Sequence, residues 1–290
     1  MMQVDAFTST PLHGNPCAVV FDADGLSDDT MQAIAREMNL SETAFVLRPT
    51  EGDVRARYFT PVEEIPFAGH PTVATIYALF ASGRMAPVAG GCTVRLQLPV
   101  GVIPVEVEFE AGHAGNLVMT QRKPDFLAEL NAANVMPLFG LEPNDVLSGC
   151  RIQIVSTGTP QLMIPVRDLE TLRRATFDAG AFEPLRQKHD FFSPQLFCLS
   201  GFTEQGGTAA RHFIPVQGVE DPFTGSATGG MAAYIWKYGL LENPRFVAEQ
   251  GHVMGRPGTA RVDVVGARDD IESVRVGGSA VAVMRGELLL

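Results

Sequence analysis

The chain lacks nearly every signature that would make its function easy to read. Basic charge is in deficit, with 22 Lys and Arg against 33 Asp and Glu and a formal net charge of −11. A phosphate-binding face needs clustered Lys and Arg, so the charge argues against a nucleic-acid partner and is expected to serve solubility. Met1–Phe7 has no basic segment ahead of a long apolar core, so no secretory leader is expected. No stretch reaches the roughly 18–20 uninterrupted apolar residues of a membrane span, which argues against a membrane partner. The four cysteines, Cys17, Cys92, Cys150 and Cys198, form no Cys-x-x-Cys pair. A reducing cytoplasm is therefore expected, not a disulfide framework. His13, His113, His189, His212 and His252 make no His-x-His or His-x-x-x-His pair, so no metal site is expected. There is no Gly-x-x-x-x-Gly-Lys, no Gly-x-Gly-x-x-Gly after a strand and no Gly-x-Ser-x-Gly, and Gly225–Gly230 has the wrong spacing for dinucleotide phosphates. What remains is proton transfer without a cofactor.

What the chain does have is a repeated sentence. Residues 56–70 read A-R-Y-F-T-P-V-E-E-I-P-F-A-G-H, and residues 210–226 read A-R-H-F-I-P-V-Q-G-V-E-D-P-F-T-G-S. Arg57, Phe59, Pro61 and Val62 recur as Arg211, Phe213, Pro215 and Val216, an offset of 211 − 57 = 154. After a two-residue insertion Pro66, Phe67 and Gly69 recur as Pro222, Phe223 and Gly225, an offset of 222 − 66 = 156. Each copy runs into a small-residue helical pattern, His70–Phe80 and Ser226–Tyr238. A chain of 290 residues fits two lobes of roughly 130–150 residues. The expected boundaries are 1–120, joined by the C-terminal strand 279–290, and 121–278.

Along the chain, Gln3–Phe7 and Cys17–Phe21 are β-rich runs around turn-forming residues. Ser27 caps a helix over 28–38, whose Met31, Ile34, Ala35 and Met38 keep the i, i+3, i+4, i+7 spacing. Thr43–Leu47 and Val54–Thr60 return to strand. Cys92–Pro99, Val102–Glu110 and Asn116–Thr120 continue it. In the second lobe, helices are expected at Pro124–Leu130, Pro143–Val146 and Leu169–Arg174. Strands are expected at Arg151–Val155, Gln161–Val166, Gln195–Leu199, Ala209–Val216, Arg261–Val265, Ile271–Val276 and Val281–Leu289. The fold class is α+β: two pseudo-symmetric lobes, each a curled, mostly antiparallel, barrel-like sheet around a central helix.

In both copies the helix starts at a Gly-rich turn, Gly69-His70-Pro71 and Gly225-Ser226-Ala227. Helix N-termini carry unpaired N–H groups and bind anions, so two ends related by a pseudo-twofold suit a small carboxylate held between the lobes. The plainer alternative is two ordinary capped helices. Glu42, among Leu40, Thr43, Ala44 and Phe45, suits a general acid/base if burial raises its pKa, or is a solvated cap residue. Its stretch has no acidic counterpart at Phe192-Ser193-Pro194-Gln195-Leu196. Asp221 stands where the first lobe has Ile65, so each lobe contributes one acid the other lacks. A cation at a helix N-terminus opposes the macrodipole, so His70 is read as neutral and functional. Ser226 either donates to a carboxylate or caps its helix.

At these residues the chain closely resembles the phenazine biosynthesis PhzF-like family, of the diaminopimelate epimerase fold. The matching stretches include Asp5-Ala6-Phe7, Gly14-Asn15-Pro16, Leu40–Phe45, Pro66–Thr72, Ser156–Gln161, Glu220–Ala227, Gln250-Gly251 and Met254–Pro257. The resemblance spans essentially the whole chain and implies a cofactor-independent isomerase, often a homodimer, with its site between the lobes. It implies proton movement by Glu42, with His70, Asp221 and Ser226 contacting substrate. It also implies substrate contacts from Asn15, Gly69, Gly225 and Ala227. The best-understood member type isomerises trans-2,3-dihydro-3-hydroxyanthranilate. Epimerases of the fold place a cysteine at each facing turn, and this chain has none there. A racemase or epimerase with non-thiol bases, or a silent metabolite-binding protein, stand as alternatives.

Overall fold

The structure, a computed structural model, describes residues 1–110 and 112–290. It divides into two units, Met1–Thr120 with Gly277–Leu290, and Gln121–Val276. The first runs β1 (Met2–Ala6), β2 (Asn15–Val20), α1 (Asp28–Met38), β3 (Glu42–Leu47), β4 (Val54–Phe59), β5 (Glu64–Ile65), α2 (Gly69–Ala81), β6 (Cys92–Leu98), β7 (Gly101–Glu110) and β8 (His113–Gln121). The second runs β9 (Asp125–Leu130), α3 (Ala132–Val135), β10 (Ile152–Ser156), β11 (Pro160–Pro165), α4 (Leu169–Arg174) and α5 (Ala179–Lys188). It continues with β12 (Ser193–Cys198), β13 (Thr208–Ile214), β14 (Val219–Asp221), α6 (Gly225–Lys237), β15 (Arg245–Gln250), β16 (Gly258–Gly266) and β17 (Ile271–Gly278). β18 (Ala280–Arg285) belongs to the first unit again.

Both units follow one pairing scheme. In the first, β18, β1 and β2 are antiparallel neighbours, β2 runs parallel to β3, and β3 is antiparallel to β4. β4 carries the short β5 and runs parallel to β6, and β6, β7 and β8 follow antiparallel. In the second, β9, β10 and β11 are antiparallel, β11 is parallel to β12, and β12 is antiparallel to β13. β13 carries β14 and runs parallel to β15, which pairs antiparallel with β16. The fold is α+β, and each sheet wraps one helix. α2 packs on β1, β2, β3 and β18, and α6 on β10, β11, β12 and β16. Eleven of the 13 residues of α2 are buried, so it is a core helix, covered on every side. α1 buries only Met31, Ile34 and Ala35, a single stripe.

Register makes the duplication residue-specific. Ala44 pairs with Tyr58 as Gln195 pairs with His212, and Tyr58 with Ile65 as His212 with Asp221. Cys17 pairs with Glu42 as Gln161 pairs with Ser193. The sites of Glu42, Tyr58 and Ile65 in one unit are thus those of Ser193, His212 and Asp221 in the other. Some contacts are copied outright. Arg57 Nε and Nη2 donate to Glu64 at 2.7 and 2.6 Å, and Arg211 donates in the same way to Glu220 at 2.9 and 2.6 Å.

Two expectations fail here. Residues 125–130 form β9, not a helix, because their backbone pairs with β10 and that ladder overrides local propensity. The expected helix at Pro143–Val146 is one 3₁₀ turn, Pro143–Asp145. α5 and β15 had no forecast. Pro184 sits inside α5 and hides its periodicity, while Asp178 caps its start.

Candidate active site

Asn15, Glu42 and His70 meet in the first unit. The loop before β2 is conformationally strained, with Phe7 and Leu12 at φ of 62° and 69°. Gly14, at φ 58°, has no room for a side chain: a Cβ there would lie 2.1 Å from the Ala6 carbonyl oxygen. This turn seats Asn15 at the start of β2, fully buried. α1 ends at Asn39 in the left-handed region, φ 49°, with its N–H bonded to Ala35 O. Three residues later Glu42 opens β3 in register with Cys17.

His70, second residue of α2, faces both. Its Nε2 lies 3.1 Å from Glu42 Oε2, with the side chains 6% and 14% exposed. Glu42 is therefore mostly covered, not the solvated cap residue that was its alternative. The His70 Nδ1 lies 3.1 Å from Asn15 Nδ2. Burial holds the His70 ring far below its ordinary value, to about 3, against a weaker opposing hydrogen bond to the Pro16 carbonyl. The ring is neutral at physiological pH, as its place at a helix N-terminus led one to expect. With the Asn15 NH₂ donating to Nδ1, the ring proton is on Nε2, the nitrogen beside the carboxylate, whereas donation from Nδ1 to the Pro16 carbonyl leaves Nε2 bare. Exchanging the ends of that amide reverses the tautomer, and Glu42 must then carry a proton to bond Nε2. The two arrangements differ by one proton, which is what a general acid/base has to gain and lose. Burial, followed by the charge of Glu42, pushes the Cys17 thiol up, so Cys17 remains a thiol beside this pair.

The second unit presents a different group at its matching turn. Asp221 ends β14, 5% exposed, and the Thr224 hydroxyl donates to its Oδ2 in a short hydrogen bond. Gln250 Nε2 donates to the Asp221 carbonyl oxygen at 2.8 Å and to Thr224 Oγ1 at 3.3 Å. Gly225, Ser226 and Ala227 form the first turn of α6. Ser226 is inside that helix and does not cap it; the N-cap position belongs to Thr224, whose hydroxyl is committed to Asp221.

Capping separates the central helices from the outer ones. Ser27, Asn131, Asp168 and Asp178 each accept from a first-turn N–H of α1, α3, α4 and α5. Neither α2 nor α6 has a side-chain cap. Ala68 has no group to offer and Thr224 points its own elsewhere. The first-turn N–H groups at Gly69-His70 and Gly225-Ser226-Ala227 thus receive no side-chain acceptor from their own N-cap. Thr224, Gln250 and His212 were given no role from the sequence. The register of the repeat held the signal, since His212 replaces Tyr58 in an otherwise matched Arg-x-Phe motif.

No described helix is long and apolar enough to cross a membrane. The sequence model of the phenazine biosynthesis-like protein family matches residues 4–286. An uncharacterized isomerase, YddE, of Salmonella typhimurium is 36% identical over 98% of this chain and 96% of its own. A trans-2,3-dihydro-3-hydroxyanthranilate isomerase of Pseudomonas chlororaphis is 35% identical over 99% of this chain and 98% of its own. The crystal structure of a Bacillus anthracis PhzF-family phenazine biosynthesis protein superposes with a TM-score of 0.90 at 31% identity, covering 100% of this chain and 98% of that one. The chain belongs to the phenazine biosynthesis-like family, and it is an isomerase.

Proposed function

We propose that this isomerase moves a proton within a small, cyclic, carboxylate-bearing substrate, with Glu42 as the general acid/base. The observation that carries the reading is the Glu42 Oε2–His70 Nε2 contact of 3.1 Å, in a pocket that keeps His70 neutral. A neutral imidazole can donate to the carboxylate or accept from the carboxylic acid, so it stabilises Glu42 both before and after proton uptake. One base suffices when a proton leaves and returns on the same face, whereas racemisation needs groups on both faces. The Asn15 amide and the Pro16 carbonyl between them set the tautomer of His70.

The uncapped start of α2 supports a second element, a seat for the substrate carboxylate at the N–H groups of Gly69 and His70. Asp221, Gly225, Ser226 and Ala227 join the proposal through the duplicated motif and the equally uncapped α6. Trans-2,3-dihydro-3-hydroxyanthranilate, the substrate named for the Pseudomonas relative, has the required carboxylate and activated ring carbon and is the first compound to try. No cofactor enters the scheme, and a cytoplasmic homodimer is the form we propose.

The test is NMR of such ring acids in deuterated buffer, which reports proton exchange before any product is known. Wild-type protein should exchange one carbon-bound proton, and Glu42→Gln should not, while still binding the acid. Wild-type exchange in Glu42→Gln would remove the assignment.

A further inference from the structure

A line of buried polar side chains crosses the second unit, and nothing in the mechanism above uses it. Gln161, Ser193, Gln195, His212 and Gln250 are each no more than 1% exposed. Ser193 Oγ lies 2.7 Å from Gln161 Oε1 and 2.8 Å from His212 Nε2. His212 Nδ1 lies 2.8 Å from Gln195 Oε1. Gln195 Nε2 reaches Gln250 Oε1 at 3.5 Å, and Gln250 reaches the turn of Asp221 and Thr224. Burying so many polar groups is costly unless each has its partner, so such a line is not filler.

The backbone sets its direction. The Asp221 carbonyl can only accept, so Gln250 turns its NH₂ toward it at 2.8 Å. Gln250 Oε1 then faces the Thr224 N–H at 3.4 Å and the Gln195 amide nitrogen. Gln195 is left presenting its oxygen to His212, so the proton of that ring is on Nδ1. Burial holds the ring neutral, its pKa lowered to about 3. Nε2 is therefore bare and accepts from the Ser193 hydroxyl, whose single proton is then not available to Gln161, so the Gln161 amide turns its NH₂ toward Ser193 Oγ. At the other end the Gln250 NH₂ occupies Thr224 Oγ1 as a donor, which commits the Thr224 proton to the Asp221 carboxylate.

The first unit shows what the line is for. The positions of Gln161, Ser193, Gln195 and His212 hold Cys17, Glu42, Ala44 and Tyr58 there, and the position of Asp221 holds Ile65. Among the described residues, the amide–imidazole–amide line exists only in the unit whose turn carries an acid. We propose that His212 is a positioning residue, which acts through Gln195 and Gln250 to fix the Thr224 hydroxyl on the Asp221 carboxylate. This rests on the reading of Asp221 as a substrate-facing group.

The first arm of the test needs no substrate. ¹⁵N spectra of His212 should show the neutral Nδ1–H tautomer at pH 7. The near-isosteric Gln250→Met, which frees the Gln195 amide to turn, should bring in the Nε2–H form. An Nε2–H ring in the wild type, or a single unchanged tautomer in Gln250→Met, overturns the relay. The second arm follows turnover of trans-2,3-dihydro-3-hydroxyanthranilate. His212→Leu and Thr224→Val should each lower kcat about tenfold, one hydrogen bond's worth, with little change in KM. The double variant should be no worse than Thr224→Val alone. His212→Asn, whose amide can donate from the place of Nδ1, should recover most of the loss. Wild-type kcat in Thr224→Val and His212→Leu, beside an inactive Asp221→Asn, would sink the relay and leave the function standing. Wild-type turnover in Asp221→Asn would sink the functional reading of Asp221, while the spectra still decide the relay.

Discussion

The two units share a topology, a bidentate Arg–Glu pair and an uncapped central helix, and five matched positions set them apart chemically. Where one unit has Cys17, Glu42, Ala44, Tyr58 and Ile65, the other has Gln161, Ser193, Gln195, His212 and Asp221. Shared features are scaffold: they place a helix start and a turn. The unshared ones carry charge and protons. One unit holds its carboxylate at the head of a strand, against a neutral histidine. The other holds its carboxylate on the turn, against a threonine whose proton is spoken for. A duplicated fold is symmetric by construction, so directional proton movement has to come from substitutions of this kind.

The comparison breaks first, and hardest, at Glu42 and its counterpart. General acid/base catalysis is worth roughly 10²–10⁴-fold, so Glu42→Gln should lose turnover by that factor. Ser193→Ala, at the matching site, should stay within about tenfold, the cost of one hydrogen bond. Equal losses in steady-state assays of both variants would mean the asymmetry is not the chemistry.

Next come the copied ion pairs, which look alike and should not weigh alike. Arg211 and Glu220 side chains are 9% and 13% exposed, and Arg211 also donates to the carbonyls of Leu172, Arg173 and Ala175. Arg57 and Glu64 are 16% and 32% exposed, and the further carboxylate on Arg57, Asp28, is solvated. Arg211→Met leaves a covered carboxylate and three carbonyls without their donor, and should cost about 3–5 kcal/mol. Arg57→Met should cost about 1 kcal/mol. Urea unfolding of the two variants checks the difference.

How much of this could be read without coordinates depended on whether the signal was local. α1 was legible end to end because Ser27, the apolar spacing and Asn39 all lie within its own 13 positions. The starts of α2 and α6 were legible because the repeat shows them twice. β9 was not, because Pro124–Leu130 has helix-compatible residues and only β10 tells it otherwise. Glu42 and His70 stood out by type and context, but their contact joins residues 28 apart through a parallel strand pair. His212 was set aside as a histidine without a metal partner. Its meaning lies in amides at 195 and 250, which no spacing rule connects.

The buried histidines then predict a shared weakness in acid. Both rings have folded pKa values near 3, lowered by burial, against about 6.5 when unfolded. The unfolded chain therefore binds the protons, and the stability these rings contribute is present above about pH 6.5 and lost as pH falls toward 3. Each should steepen the loss by up to ~1.4 kcal/mol per pH unit. Unfolding free energies at pH 7, 6 and 5 should show it. His212→Asn should flatten the slope by one proton, and an unchanged slope would mean the ring titrates normally.

The smallest effect tests whether a copied contact has a copied role. Thr72 donates to Ala68 O at 2.8 Å, and Thr228 donates to Thr224 O at 2.9 Å, the same bond four residues back in each central helix. Thr72 Oγ1 has spent its proton there, so its contact of 2.9 Å with Tyr58 is one in which the phenol donates. Tyr58 is fully buried, and the matching His212 is engaged with Ser193 and Gln195 instead. Thr228→Val should therefore change stability by less than about 0.5 kcal/mol, since a back-bond of this kind adds little to a helix. Thr72→Val strands the Tyr58 hydroxyl in the core and should cost about 1–2 kcal/mol, with Thr75 nearby to recover part. Tyr58→Phe in the Thr72→Val background removes the stranded donor with its lost partner and should restore most of that stability. Thermal or urea unfolding of the three variants decides it: equal costs for Thr72→Val and Thr228→Val, or no recovery in the double variant, would show that Thr72 does no more for its unit than Thr228 does.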